Sequence, residues 1–194
     1  PDLQYEGEKE VLGISSRVDV YTDSFGVPHV FAKNEKDLFF TAGYLAARER
    51  LFQLSMVAIL VKGEMALNLG DEYLDTDIFI RTWRIHETAK RMVLKMKPEN
   101  KEVFNNFCDG INYRINEIKN DLPIEFKIMR IDPSFWDPSI VAGYARMMAY
   151  EMQGSWEPEI LYGAIAANFG EEKLKEIIPG YDKNKPTIAS VSYE

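Results

Sequence analysis

The 194-residue chain has few of the side chains from which most active sites are built. It contains one cysteine, Cys108, and two histidines, His29 and His86. A single cysteine cannot form an intrachain disulfide, and no Cys/His group has the spacing of a metal site. The sequence also lacks a G-x-S-x-G elbow, a G-K-[ST] phosphate loop and an H-E-x-x-H helix. The residues of this chain therefore contain no complete active-site motif.

Basic charge is scarce as well. The chain has 23 Lys and Arg against 31 Asp and Glu, a net charge of −8. This balance disfavours a nucleic-acid partner and an anionic membrane surface. The longest uncharged apolar stretch, residues 51–61, is far shorter than the ~20 residues that span a bilayer. We therefore predict no nucleic-acid and no membrane partner.

Aromatic and apolar residues are plentiful, and their spacing predicts a mostly helical chain. A β-hairpin is predicted over residues 17–33, with its turn at 23–26. Residues 122–132 fit a strand or a loop equally well. Residues 1–194 are expected to form a single unit with extended tails at 1–16 and 183–194. Helices are predicted from a cap at Asn34 to about residue 61, from about 76 or 77, and over 98–119, 139–151, 159–168 and 171–177.

The scarce reactive side chains each have an ordinary structural interpretation. His29 follows a proline in a strand, which favours a packed or hydrogen-bonded role. His86 stands in a charged helical stretch, which favours a solvated surface position. Cys108 is expected to be a buried thiol without reactivity. The acidic residues near position 75 lack the Gly and Glu of a calcium-binding EF-hand loop, so a solvated acidic turn is predicted for Asp71, Asp75 and Asp77.

Several strings occur in a fixed order along the chain. They are DSFGVPHVFA at 23–32, GYLAARERLFQL at 43–54, GEMALNLG at 63–70, DIFIR at 77–81 and DGIN at 109–112, followed by LPIEF and PSFWDP between 122 and 138. In this order and spacing they resemble the α chain of the penicillin acylase family of N-terminal-nucleophile (Ntn) hydrolases. The resemblance covers roughly residues 17 to 190.

The resemblance implies an enzyme made as a precursor that cleaves itself into α and β chains. The β chain would begin with a Ser whose hydroxyl is the nucleophile and whose α-amino group is the base, so no catalytic residue is expected in this chain. The implied fold is an αββα Ntn-hydrolase of class α+β, in which the N-terminal hairpin completes the partner's sheet. This chain would be stable only as an obligate heterodimer with the β chain.

The implied activity is hydrolysis of the side-chain amide of a small-molecule N-acyl substrate, either a β-lactam antibiotic or an acyl-homoserine lactone. No organic cofactor is expected. Family habit implies an extracytoplasmic location, periplasmic or secreted. The competing hypothesis, from the same missing motifs and the helical stripes, is a non-catalytic helical binding or scaffold module.

Four residues are implied as site residues by position. Penicillin G acylases carry M-A-N-R-F on a late helix, and the matching string here begins at Met148. Met148 would form a wall of the acyl pocket, with Glu151 in place of the Arg and Met152 in place of the Phe. Glu151 would repel the carboxylate of a penicillin. The alternative is that Met148 and Met152 face the core, at i and i+4 on one helix.

A calcium ligand is implied shortly afterwards. Glu159, followed by Ile160, matches a Glu that binds Ca²⁺ in some family members, and Glu157 is a rival because the loop spacing differs. The ion would be structural and shared with the β chain, and a carboxylate suits it. The alternative role for Glu159 is in the first turn of a helix after Pro158.

Overall fold

The computed structural model describes residues 6–154 and 156–178, which form a mostly helical chain with one two-stranded sheet. This confirms the predicted α+β class. The chain divides into two compact units, Pro1–Ala149 and Tyr150–Glu194. The strands are β1 (Asp19–Thr22) and β2 (Pro28–Phe31), and the helices are α1 (Glu35–Lys62), α2 (Met65–Leu69), α3 (Leu74–Thr82), α4 (Ile85–Leu94), α5 (Pro98–Glu117), α6 (Ile124–Met129), α7 (Pro138–Glu151), α8 (Trp156–Phe169) and α9 (Glu171–Ile177).

The predicted hairpin is present as the antiparallel pair of β1 and β2. Its turn is held by Asp23, whose carboxylate accepts hydrogen bonds from the backbone N–H groups of Phe25 and Val27, both at 2.9 Å. Gly26 has a φ of +80°, which L-residues rarely adopt. The turn residues therefore set the register, in which Tyr21 lies opposite His29.

Helix α1 begins and ends where its capping residues predict. The Asn34 side chain accepts a hydrogen bond from Asp37 N at 2.8 Å, and Gly63 ends the helix with a φ of 66°. The helix bends at Arg50, whose φ and ψ of −138° and 34° are not helical. Residues 6–16, which precede the hairpin, form neither helix nor strand.

Helices α1 and α5 cross at two glycines. A Cβ atom on Gly43 would lie 2.0 Å from the carbonyl oxygen of Phe107, and a Cβ atom on Gly110 would lie 1.9 Å from that of Phe40. Each glycine therefore faces the backbone of the opposite helix, and no larger residue fits. This contact lets the main core form around the two helices, with Ile59, Ile111, Phe126 and Ile140 buried in it.

Short helices were the main error of the sequence prediction. The prediction did not contain α2, and it left residues 122–132 as strand or loop, where the structure has α6. It described the stretch around His86 as helical without giving bounds, and the structure has α4 there. Five- or six-residue helices show too little periodicity for a 3.6-residue repeat to be recognised. Helix α6 is instead held by tertiary packing, because Phe126 inserts into the main core. Its ring packs edge-on against that of Phe52, with the ring centroids 5.4 Å apart.

Two helices begin earlier than predicted. Helix α3 begins at Leu74 rather than at 76 or 77, and α8 begins at Trp156 rather than at 159. Pro158 lies in the first turn of α8, where a missing N–H breaks no intrahelical bond. The predicted tail at 183–194 lies outside the described residues. None of the described helices has the combined length and apolarity needed to cross a bilayer.

The predicted solvated acidic turn is wrong for Asp77. This aspartate is buried, and its carboxylate accepts hydrogen bonds from the backbone N–H groups of Met65 and Ala66, both at 2.8 Å. Asp77 therefore satisfies the free amides at the start of α2, eleven and twelve residues away in sequence. Asp71 and Asp75 are exposed, as predicted.

Candidate functional site

Helix α7, which carries the predicted pocket residue Met148, is fixed at its start by an asparagine clamp. The Asn112 amide donates to the carbonyl oxygen of Trp136 and accepts from the N–H of Trp136, both at 2.8 Å. Asp137 then accepts from Ser139 N at 2.7 Å, which satisfies an amide of the first turn of α7. The DGIN string thus has two structural roles, because Gly110 lets the helices cross and Asn112 positions α7.

His86 also contacts the first turn of α7. The prediction of a solvated surface position for His86 is therefore wrong. It is half-buried, and its Nε2 lies 3.0 Å from the hydroxyl of Ser139. Burial lowers the pKa of His86 below its ordinary value, and the nearby positive charge of Lys90 lowers it further. A largely neutral imidazole therefore braces the first turn of α7.

Within the first unit, one side of α7 is buried and the other is exposed. Ile140, Gly143 and Met147 are buried in the chain, whereas Tyr144 and Met148 are each 41% exposed. Tyr144 and Met148 are four residues apart and so lie on one helix face. The alternative that Met148 is a core residue is therefore wrong. Tyr144 was missed by the sequence analysis, although its spacing from Met148 could have identified it.

The remaining predicted site residues lie in the second unit. Glu151 is the last residue of α7, and Met152, which follows it, is 81% exposed, so a core role is wrong for Met152 too. Glu151 is also exposed and makes no hydrogen bond or ion pair with other described residues. These side chains are therefore open to solvent in the chain by itself.

Glu159 and Glu157 both lie in the first turn of α8, where negative charge complements the helix dipole. Glu159 is exposed. Calcium takes six to eight oxygen ligands, of which a carboxylate oxygen is a common type. Within the described ranges, no group of three or more His, Cys, Asp or Glu side chains is placed to hold a metal ion. The chain thus offers Glu159 as one ligand of a suitable kind.

Two other predictions about reactive residues are confirmed. Cys108 is buried, and burial raises the pKa of its thiol to about 12, so the thiolate is not formed at neutral pH. His29 is hydrogen-bonded, with Nε2 at 3.1 Å from the Asp23 carboxylate, but it is exposed rather than packed. Neither residue is placed as a nucleophile.

Comparison with known proteins gives one family. The family model described as penicillin amidase matches residues 17–191. An acyl-homoserine lactone acylase, QuiP of Pseudomonas aeruginosa, is 24% identical over 181 residues, which are 93% of this chain and 21% of that protein. Penicillin G acylase of Escherichia coli is 29% identical over 132 residues, which are 66% of this chain and 16% of that protein.

A third relative, the penicillin acylase 2 proenzyme of Pseudomonas sp., is 27% identical over 77% of this chain and 19% of that protein. The chain thus spans about a fifth of the length of these curated relatives. Among solved structures, a thermostable penicillin G acylase from Alcaligenes faecalis matches with a TM-score of 0.71 at 24% identity, over 91% of this chain and 98% of that chain. This likeness shows a shared fold.

Proposed function

Because this chain belongs to the penicillin amidase family, we propose that it is the α subunit of an amidohydrolase that cleaves the side-chain amide of N-acyl substrates. The observation that carries the proposal is the family match over residues 17–191. Relatives named as penicillin acylases and acyl-homoserine lactone acylases support the same reaction class. One relative is named a proenzyme, which supports a precursor that is processed into two chains.

In the proposed mechanism, the nucleophile is the N-terminal Ser of the β chain. Its hydroxyl attacks the amide carbonyl of the substrate while the free α-amino group of the same residue accepts the proton. An α-amino group has a pKa of about 8, so it acts as a base near neutral pH without a histidine. The amine leaves with that proton, and a water molecule hydrolyses the acyl-enzyme. The fold of the complex would be the αββα type, with the hairpin of this chain completing the partner's sheet.

This chain would contribute one wall of the acyl pocket. Met148 is exposed on α7 and can pack against an apolar acyl group, and Met152 would supply a second, adaptable contact. Glu151 would lie near the leaving amine, where a carboxylate repels another carboxylate. We therefore propose that a neutral leaving group, such as a homoserine lactone, is preferred to the anionic nucleus of a penicillin.

No organic cofactor is part of the proposal. Glu159 would supply one ligand to a structural calcium ion whose other ligands lie on the β chain, and the ion would hold the two chains together. The expected location of the enzyme is extracytoplasmic.

The proposal is tested with the purified complex of this chain and its β chain, assayed on benzylpenicillin and on an N-acyl homoserine lactone. We expect amide hydrolysis of the lactone substrate to have the higher kcat/KM. A complex in which the N-terminal Ser of the β chain is replaced by Ala should assemble and be inactive. No turnover of any N-acyl amine by a complex with a free N-terminal Ser would contradict the proposal.

The matched variant is Glu151→Gln, which keeps the shape of the side chain and removes its charge. It should raise kcat/KM for benzylpenicillin by about tenfold, ~1.4 kcal/mol, since like charges at about 4–6 Å near a surface repel by this order. The kcat/KM for the neutral lactone should not change. An equal effect on both substrates would place Glu151 away from the leaving amine.

A further inference from the structure

Arg146 is the basic residue of helix α7, and its guanidinium lacks an acidic partner among the described residues. Its Nε atom is buried and has no hydrogen-bond partner. Its Nη1 atom lies 4.0 Å from the sulfur of Met92 on α4, which is a weak acceptor. The guanidinium has therefore lost part of its water without gaining a carboxylate in exchange.

A second buried arginine, Arg114 on α5, shows what is missing at Arg146. The Nε atom of Arg114 is also buried without a partner, but its Nη1 atom donates to the carboxylate of Glu117. The charge of Arg114 is thus neutralised within the chain, whereas that of Arg146 is not. Because a partly buried charge without a counter-ion is destabilising, Arg146 requires an anion from outside the described residues.

The stretch of chain that contacts Arg146 is itself basic. Residues 84–101 contain six basic side chains and two acidic ones, although acidic residues outnumber basic ones in the whole chain. Of the two acidic residues, Glu87 is paired with Arg84, and Glu99 lies in the first turn of α5, where it complements the helix dipole. Four exposed lysines of this stretch form no ion pair with any described residue, namely Lys90, Lys95, Lys97 and Lys101.

Arg146 lies at the rim of the contact between α4 and α7. Ala89 and Val93 of α4 form a small second core with Ala142 of α7. Ala142 is four residues before Arg146 and so lies on the same side of α7. At this rim Met92 is 42% exposed. A group that binds here therefore meets an apolar side chain as well as a positive charge.

The missing anion is neither the substrate nor a simple ion. Successive residues of an α-helix are rotated by about 100°, so Arg146 lies about 200° from Met148 and faces away from the proposed acyl pocket. An inorganic ion would neutralise Arg146 but leave Met92 uncovered. A carboxylate on a polypeptide does both, because its apolar neighbours pack on Met92. About four-fifths of the length of the curated relatives lies outside the matched segment, which is ample chain to supply it.

We propose that Arg146 forms an ion pair with an Asp or Glu side chain of the β chain, at a contact between α4, α7 and an acidic segment of that chain. This proposal rests on the proposed function, because it requires the partner chain. A guanidinium binds a carboxylate through two parallel hydrogen bonds, so the pair holds α7 in a fixed orientation against the β chain. The unpaired lysines of residues 84–101 attract the same acidic segment and disfavour a basic one.

The first test is carbodiimide cross-linking of the purified complex that carries Arg146→Lys. Carbodiimide joins a lysine amine to a carboxylate in contact with it and leaves arginine unchanged. We expect a link between residue 146 and an Asp or Glu of the β chain, identified by mass spectrometry of the peptides and absent from the wild-type complex. Lys9 binds Glu117 within this chain, so a link between these two residues is the internal control in every sample.

Three outcomes of the cross-linking would overturn the proposal. The first is the control link without any link from residue 146 to the β chain. The second is a link from residue 146 to a carboxylate of this chain. The third is a link to a second copy of the complex, which is recognised by mixing isotopically labelled and unlabelled complexes before the reaction.

The second test reverses the charge. Arg146→Glu should lower the thermal midpoint of the complex by several degrees more than Arg146→Lys, because it places two carboxylates together. Replacing the linked β-chain carboxylate by Lys should restore most of that loss. The matched control is Lys36→Glu, which changes an exposed lysine of α1 that has no ion pair within the described residues and should shift the midpoint little.

Equal shifts for Arg146→Glu and Lys36→Glu, or no restoration by the reversed β-chain residue, would overturn the ion pair. Both tests measure contact and assembly rather than turnover. A linked complex that is inactive would therefore refute the proposed function alone, and an active complex without the link would refute only the ion pair.

Discussion

The buried carboxylate of Asp37 joins the N-terminal segment, residues 6–16, to the start of α1. Its carboxylate is 0% exposed and accepts four hydrogen bonds, from the N–H and hydroxyl of Ser15, the N–H of Ser16 and the side-chain amide of Asn34. Burial opposes ionisation of this carboxyl, but the hydrogen bonds, first that from Ser15 N and then that from Asn34, outweigh it and lower the pKa of Asp37. The ionised form therefore holds the N-terminal segment on α1.

The substitution Asp37→Asn should destabilise the complex by about 2 kcal/mol at pH 7, since hydrogen bonds to a charged group contribute roughly 1.5–3 kcal/mol. The ordinary pKa of the carboxyl is 3.8, and the folded state lowers it. This stabilisation is therefore present above pH 3.8 and is lost as the pH falls through the lower folded value. Thermal unfolding between pH 7 and pH 3 measures the difference between the two proteins.

The difference in stability between wild type and Asp37→Asn should become smaller below pH 3.8. The control is Asp132→Asn, which changes an exposed aspartate that has no hydrogen bond within the described residues. It should leave stability within about 0.5 kcal/mol of wild type, as surface substitutions usually do. A difference in stability that stays constant with pH would show that Asp37 does not act through its charge.

Local residue signals were read correctly from the sequence, and distant contacts were not. Asn34 and Gly63 have side-chain or backbone properties that define helix ends, and both were recognised. Asp77 and His86 were interpreted from their sequence neighbours, which are charged. Their true partners are Met65 and Ser139, twelve and fifty-three residues away. Such pairings become visible only after the helices have packed.

At the scale of elements, the crossing of α1 and α5 depends on two glycines. Both motifs that supply them were noticed in the sequence, as GYLAARERLFQL and DGIN, but periodicity alone does not tell that two glycines meet. A glycine in a helix costs stability relative to alanine, by about 1 kcal/mol. Here the cost is offset because the two backbones approach closely, with Gly43 against Phe107 and Gly110 against Phe40.

The substitution Gly110→Ala should destabilise the complex by about 3 kcal/mol, at the upper end of overpacking penalties, because its Cβ meets backbone atoms that cannot rotate away. The new atom would lie 1.9 Å from Phe40 O and 2.7 Å from Tyr44 N, so the helices must separate. Gly163→Ala on α8 is the control, since a Cβ atom at Gly163 would meet no described atom within 4 Å apart from its chain neighbours and the backbone of its own helix. Thermal melts followed by circular dichroism compare the two variants, and equal stability would refute the close crossing.

At the scale of the whole molecule, large apolar side chains remain exposed on several elements. Within the first unit, Phe25 and Phe31 of the hairpin and Met148 of α7 are exposed. Within the second unit, α8 carries no charge from residue 160 to 169 and has no buried residue in the chain. A helix that is apolar all round is normally buried. These surfaces fit the proposal that residues 1–194 are one part of a larger assembly.

The isolated chain should therefore behave differently from its complex with the β chain. Alone, it should bind a hydrophobic dye, associate at micromolar concentration and unfold without a sharp transition. The reason is that large exposed apolar patches favour association. With the β chain, dye binding should fall and unfolding should become cooperative, since obligate interfaces resemble a divided core. Ile160→Ser should reduce association of the isolated chain and weaken assembly with the β chain. A monomeric chain that unfolds cooperatively without binding dye would instead support a self-sufficient binding module.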